Sequence, residues 1–577
     1  MTSDAVIVIK GMSFSYPNTS RPALEDISLL IPEGQVVVVM GASGAGKSTL
    51  ANTLNGLIPC FIRGNFKGSI RVGKEEPLTK GVSGMFGIVG LVFQDFETQL
   101  FSTRVELELA FGMENRGMQR SAMQEGVKRL VELVGLKGFE QCAPAGLSGG
   151  QKQRLAIGSA LAGVPQVLCL DEPTTDLDPV GKTGIFSLLR KFRTQSQLTK
   201  DAGPATIVII EHETEEAVHA DRIIVLDQGR LVADGTPEQI LPQVAMFEQF
   251  GLMPLPFCAY FSRLGFPAQG CPLTLTEAEP FFHRAGLSLE EACVKELTAR
   301  DIERSLTYGN EVIRTAGLGQ SYGKREILKG IDLCIREREF IAVLGANGSG
   351  KTTLVKHLNG LLRPKQGRVF LSGKDASGLS IFEMGQAVGY VFQNPDQQIF
   401  CDTVYEEVAY GLKLLDMSAL EAATRVREAL EAVGLSGCEA EDPFSLTKGQ
   451  RQRVAVASVL ALKPQVLILD EPTTGLDHKD QRRMMELVKS LNESGRTIVM
   501  ITHAMWVVAE YAHRVVLIRD GQVAADGRVR EVFADEAKLA LAEVSPPQIT
   551  RLGNRLGATA LSVDELLYCT RRQEEQG

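Results

Sequence analysis

No long apolar run is present: nothing in the 577 residues approaches the ~18 consecutive apolar positions that a bilayer span requires. The start, Met1-Thr2-Ser3-Asp4, lacks the basic residues and apolar stretch of a secretory leader. Any work at a membrane is therefore expected to pass through a partner. The ten cysteines show no Cys-x-x-Cys spacing, which speaks against zinc-ribbon and thioredoxin-type sites. They lie in apolar settings such as Val167-Leu168-Cys169-Leu170 and read as reduced core thiols of a cytosolic protein. A basic surplus is missing too. Lys+Arg 61 against Asp+Glu 70 leaves a net charge of −9, so no nucleic-acid partner is expected.

What the chain does have is a repeat. Gly41-Ala42-Ser43-Gly44-Ala45-Gly46-Lys47-Ser48 recurs as Gly345-Ala346-Asn347-Gly348-Ser349-Gly350-Lys351-Thr352. Val92-Phe93-Gln94 recurs as Val391-Phe392-Gln393, and Leu170-Asp171-Glu172-Pro173-Thr174-Thr175 as Leu469-Asp470-Glu471-Pro472-Thr473-Thr474. Glu211-His212 matches Thr502-His503. Order and spacing hold across four blocks, so each half is one copy of a domain. Apolar runs such as Val36–Met40, Phe340–Leu344 and Thr206–Ile210 read as strands buried on both faces, alternating with helices. The fold class is therefore α/β. The first copy is expected over residues 1–240, followed by an extension over 241–298 and a polar linker over 299–310. The second copy follows over 311–532, then a second extension with a frayed tail over 533–577.

Both Gly-rich loops satisfy G-x-x-x-x-G-K-[ST]. Glycine lets successive backbone N–H groups converge, and the following helix adds its positive end, so the loops cradle phosphates. The expected nucleotide-binding residues are Gly41, Ser43, Gly44, Ala45, Gly46, Lys47, Ser48 and Thr49, and in the second half Gly345, Asn347, Gly348, Ser349, Gly350, Lys351, Thr352 and Thr353. Lys47 and Lys351 should reach the β/γ-phosphates, and Ser48 and Thr352 should ligate Mg²⁺. Asp171 and Asp470 end apolar strands, where a carboxylate suits Mg²⁺, and the adjacent Glu172 and Glu471 can polarise an attacking water.

Leu147-Ser148-Gly149-Gly150-Gln151 resembles the signature loop of the ATP-binding cassette (ABC) family. The resemblance implies two P-loop NTPase cassettes, each a mixed core sheet plus a helical subdomain carrying the signature. It also implies an intramolecular head-to-tail dimer, with ATP held between one half's P-loop and the other half's signature. By the same resemblance Tyr16 and Tyr322 stack on adenine, and Gln94 and Gln393 touch Mg²⁺ and sense the γ-phosphate. His212 and His503 contact the γ-phosphate, and Asp178 and Asp477 communicate across the dimer. The second signature, Leu446-Thr447-Lys448-Gly449-Gln450, departs from the pattern at Lys448. A cation at a helix N-terminus costs roughly 0.3–1 kcal/mol, which is tuning rather than loss. Neither site is expected to be dead.

Phe392-Gln393-Asn394-Pro395-Asp396-Gln397-Gln398-Ile399-Phe400 is similar to the F-Q-N-P-D-x-Q-[LI]-F form of energy-coupling-factor (ECF) transporter ATPases, and the first half departs at Phe96. That resemblance implies an ATPase powering uptake of a vitamin, a vitamin precursor or a transition-metal ion. It places the chain at the cytoplasmic face of the cell membrane, with an integral membrane transporter subunit and a separate substrate-capture membrane protein as partners. A soluble tandem cassette acting on ribosomes or nucleic acid is the alternative, although residues 252–310 carry no basic run. The cargo stays open.

Overall fold

The computed structural model describes residues 5–174, 177, 179–198, 206–415 and 417–572. They form two compact units, Met1–Thr274 and Leu275–Gly577.

In the first unit six strands lie in the order Val89–Val92, Val167–Asp171, Thr206–Ile210, Val36–Met40, Arg222–Asp227, Arg230–Gly235. The first five are parallel and the last is antiparallel. Successive residues of Val36–Met40 serve different cores. Val38 and Met40 pack with the helices, whereas Val37 and Val39 pack beneath a three-stranded antiparallel sheet. A strand covered on both faces has no polar side, which is why this segment is an unbroken apolar run. Burying each such valine contributes roughly 1.5–3 kcal/mol. The antiparallel sheet is Leu24–Pro32, Ala5–Ser15 and Asn65–Val72. The helices Val105–Asn115, Arg120–Leu133 and Gly149–Ala162 close the other face through Leu109, Val131 and Leu155.

The second unit repeats this plan. Its main sheet runs Val388–Val391, Val466–Asp470, Thr497–Ile501, Phe340–Leu344, Arg514–Arg519, Gln522–Arg528, again with only the last strand antiparallel. A four-stranded antiparallel sheet and the helices Val404–Tyr410, Ala419–Ala432 and Lys448–Leu460 occupy the matching places. The architecture is thus α/β, two mixed sheets each with its own helical part.

The segments after each cassette depart from the expected division. Helices up to Pro256–Arg263 belong to the first unit, and Phe247, Leu255 and Cys258 share its core. From Leu275 onward the chain joins the second unit. There Leu287–Leu289 pairs antiparallel with Thr570–Arg572, and the helix Leu275–Arg284 packs on Gln548–Arg555. Residues 299–306, expected as linker, complete a helix, Glu291–Leu306. That helix carries the i,i+4 ion pairs Lys295–Glu291 and Arg300–Glu296 on a largely polar surface, so its composition resembles a tether. It is anchored by Asp301, which accepts from the buried Arg530 guanidinium at 2.7 Å, while Glu565 takes the same cation at 2.8 Å. Phe533, the expected start of the second extension, is fully buried in the second cassette's core together with Leu539 and Leu561. The frayed tail expected at the C-terminus, 573–577, lies outside the described residues.

Candidate functional site

In each unit the carboxyl ends of four strands of the main sheet carry the Gly-rich loop, the glutamine, the Asp-Glu pair and the histidine singled out from the sequence, at the ligand edge of an open α/β sheet. Val36–Met40 delivers the first Gly-rich loop, in which Gly44 and Gly46 take φ of 76° and 99°. A Cβ on Gly46 would collide with the Ala23 carbonyl, so only glycine fits there. The helix Lys47–Leu54 begins immediately after. Lys47 is buried, and its Nζ donates to the Gly41 and Ala42 carbonyls at 2.7 and 2.9 Å. Lys351 does the same with Gly345 and Ala346, at 2.7 and 2.9 Å. Both ammonium groups are therefore held at the centre of their loops, where a phosphate would meet them.

Asp171 ends its strand beside the Ser48 hydroxyl, and Asp470 ends its strand beside that of Thr352. Burial pushes the Asp171 carboxyl up to about 6, against the lowering effect of the Ser48 hydrogen bond. Its Oδ1 is buried and without a hydrogen-bond partner among the described residues. An orphaned carboxylate oxygen next to a hydroxyl is a donor set that fits a hard divalent cation. Asp470 is likewise raised by burial, and it accepts from the Tyr390 hydroxyl at 2.5 Å. The first half has Leu91 in place of that tyrosine.

Glu172 and Glu471 both adopt φ of 49°, an uncommon conformation for a residue with a side chain. Such outliers cost of order 1–3 kcal/mol and cluster where a group must be aimed. Around Glu172 the Gln94 amide donates to Oε2 at 2.6 Å, and the His212 imidazole meets Oε1. Around Glu471 the His503 imidazole stands 3.4 Å from Oε1 while its backbone N–H donates to Oε2 at 3.2 Å. The His503 ring also reaches Asn347 at 3.0 Å. Gln94, Glu172 and His212 thus form one connected set in the first half. Gln393 in the second half is exposed.

Both signature loops keep one geometry. Ser148 caps the helix Gly149–Ala162 in a capping box with Gln151, and Thr447 caps Lys448–Leu460 with Gln450. The loop conformation therefore survives the replacement of Gly149 by Lys448. Gly150 and Gly449 occupy the next position, and a Cβ on Gly449 would lie 2.7 Å from Asp480 Oδ2.

The tyrosines differ. The Tyr16 hydroxyl shares a 3.0 Å hydrogen bond with Thr49, and its ring stands edge-on to Phe14, whereas Tyr322 is 52% exposed. Thr353 sits one turn before His357, whose Nδ1 lies 2.7 Å from the Thr353 carbonyl. Asp477 is buried and caps the helix His478–Glu493, accepting from the Asp480 N–H at 2.9 Å. Asp178 lies outside the described residues.

One residue had no role assigned from sequence. Glu211 is buried beside His212 and accepts from the Thr174 hydroxyl at 2.6 Å and the His212 N–H at 3.0 Å. Burial, reinforced by Glu213, raises its carboxyl above the usual range. The available signal was a charged residue ending an apolar strand where the other half has Thr502.

The family model for ABC transporters matches residues 24–175 and 328–474. The chain belongs to the ABC transporter family. An ABC transporter ATP-binding protein so assigned in Caldanaerobacter subterraneus subsp. tengcongensis is 51% identical, over 99% of this chain and 100% of its own. A similarly assigned protein of Methanosarcina acetivorans is 38% identical, over 97% of this chain and 92% of its own. One of Vibrio vulnificus is 36% identical, covering 95% and 94% respectively. Among solved structures, cbiO1 from Clostridium perfringens, described as part of the ABC transporter complex cbiONQ, is 35% identical. That likeness covers 40% of this chain and 95% of that one, with a TM-score of 0.38. ABC cassettes bind ATP, so this chain is an ABC-type ATP-binding subunit with two cassettes. Among the described residues no helix is long and apolar enough to cross a membrane.

Proposed function

We propose that both cassettes hydrolyse ATP and that the chain drives an ECF-type importer of a vitamin, a vitamin precursor or a transition-metal ion from the cytoplasmic face of the membrane. Lys47 and Lys351 hold the β/γ-phosphates, and the N–H groups of the two Gly-rich loops complete the cradle. Ser48 with Asp171, and Thr352 with Asp470, would hold Mg²⁺, which supplies neutralisation of phosphate charge. Glu172 and Glu471 take a proton from the attacking water, and His212 and His503 orient the terminal phosphate. Each nucleotide is completed by the signature of the other half in a head-to-tail dimer. Closure on ATP is then a population shift set by ATP's preference for the closed state.

One observation carries the membrane coupling. Just beyond each glutamine loop an exposed aromatic pair stands edge-to-face: Phe101 with Phe111, and Phe400 with Tyr410, both at 4.7 Å between ring centroids. Phe101 is 63% exposed and Phe400 61%. Large aromatics left in water at the same place in both cassettes suit a protein partner. Phe400, and Phe101 at the matching place, close the segment that resembles ECF ATPases. The reading favours an integral membrane subunit docking there and a separate membrane protein capturing substrate. Affinity purification from solubilised membranes tests it. Integral membrane proteins should copurify with the wild type and be lost with Phe101→Ser/Phe400→Ser, and recovery with ribosomes instead would overturn the reading.

A further inference from the structure

Two cysteines of the first unit converge on one backbone carbonyl. Cys258 lies on the helix Pro256–Arg263, and Cys271 lies three residues before the unit ends at Thr274. The Cys258 Sγ is 4.0 Å from the Pro272 carbonyl oxygen, and the Cys271 Sγ is 3.9 Å from the same atom. The two thiols also hydrogen-bond to each other. Neither is in a disulfide, and their exposures differ. Cys258 is fully buried in the core, whereas Cys271 is partly open to solvent. A buried thiol alone is inert, and a reactive exposed thiolate alone has no second thiol to halt its oxidation at the sulfenic acid. One of each in contact is the arrangement of an attacking thiol with a resolving thiol.

We propose that Cys258 and Cys271 form a reversible dithiol–disulfide site that responds to a small peroxide. The Cys271 thiolate attacks one peroxide oxygen. An S–O bond forms, the O–O bond breaks, and the departing oxygen leaves as water after taking a proton. The Cys258 sulfur then attacks the Cys271 sulfur. The S–S bond forms, the S–O bond breaks, and the hydroxyl leaves as water with the Cys258 proton. The two thiols lose two electrons and the peroxide gains two. The hydrogen bond from Cys258 lowers the pKa of the Cys271 thiol, which favours the attacking form. The bond would tie the helix Pro256–Arg263 to the stretch that leads out of the first unit. Cys293 and Cys569 in the second unit supply an internal contrast, since they share a small apolar cluster and both are buried.

The test is peroxide titration of the purified full-length protein, followed by alkylation, intact mass and peptide mapping. The expected product is a chain lighter by two hydrogen atoms, with Cys258 linked to Cys271 and fully restored by dithiothreitol. Cys271 should be consumed at least about tenfold faster than the exposed Cys60 and Cys142. In Cys258→Ser, Cys271 should instead accumulate added oxygen, and in Cys271→Ser no disulfide should form. Mapping of the wild type needs neither variant. Consumption of Cys271 no faster than Cys60 and Cys142, or linkage of either residue to a different cysteine, would overturn the proposal.

Discussion

Lys448 lies over Gly475. A Cβ built on that glycine, whose φ is +68°, would overlap the lysine Nζ. The first half carries Gly149 and Asp176 at the matching places. The second cassette thus carries a lysine over a glycine where the first half's sequence has a glycine and an aspartate. Gly475→Ala should cost roughly 1–2 kcal/mol, because a side chain is forced into the left-handed region. The overlapping amine is the mobile tip of a flexible chain, so the backbone dominates this cost. Thermal unfolding of Gly475→Ala in a Lys448→Gly background should therefore retain most of the loss. Full recovery in the double variant would mean that the lysine contact, not the backbone, sets the glycine.

Glu211 gives the first site a part that the second lacks. Its carboxylate satisfies both the Thr174 hydroxyl and the His212 N–H. Glu211→Ala should leave the buried Thr174 hydroxyl and the part-buried His212 N–H without their acceptor and cost about 1–3 kcal/mol. It should also slow hydrolysis at the Lys47 site while sparing the Lys351 site. Equal effects on both sites, measured with the other P-loop lysine replaced, would count against this asymmetry.

Acid should weaken the second unit through two histidines. Burial, with the Arg304 charge behind it, holds the His513 imidazole down to about 3. Burial and Arg482 hold His478 down to about 4, against the pull of Asp477. Both rings are neutral in the fold but charge in the unfolded chain below about 6.5. Their stabilising contribution is thus complete above pH 6.5 and is lost as pH falls toward 4 and then 3. Each contributes a slope of up to about 1.4 kcal/mol per pH unit in that window. Trp506 is the chain's one tryptophan and lies 5.2 Å from the His478 ring, so its fluorescence follows this unit alone. Urea melts between pH 6.5 and 5 should show a shallower pH slope for His513→Gln than for the wild type. Raised carboxylates such as Asp470 act in the opposite sense, and the difference between the two proteins cancels them.

The main sheets were legible because their strands are buried on both faces, and two-sided burial writes an unbroken apolar run. The phosphate loops were legible because few sequences meet G-x-x-x-x-G-K-[ST] twice between a strand and a helix. The helix Glu291–Leu306 was hidden by its own charge, since paired Lys295–Glu291 and Arg300–Glu296 look like a solvated tether. The pairing of Leu287–Leu289 with Thr570–Arg572 joins residues nearly half the chain apart, and three-residue strands leave no periodic trace. The Lys448–Gly475 fit and the Glu211–Thr174 bond depend on which loops meet, and spacing alone does not encode that.

Single-turnover hydrolysis in Glu172→Gln, Glu471→Gln and the double variant tests the central claim, two ATP-hydrolysing cassettes in one chain. Each single change should leave ATP binding intact and lower the rate at its own site by about 10²-fold or more. The two residual rates should differ, because Lys448 faces only one nucleotide in the proposed head-to-tail pairing. The double variant should bind ATP without turnover. Hydrolysis at the wild-type rate in the double variant would contradict the account.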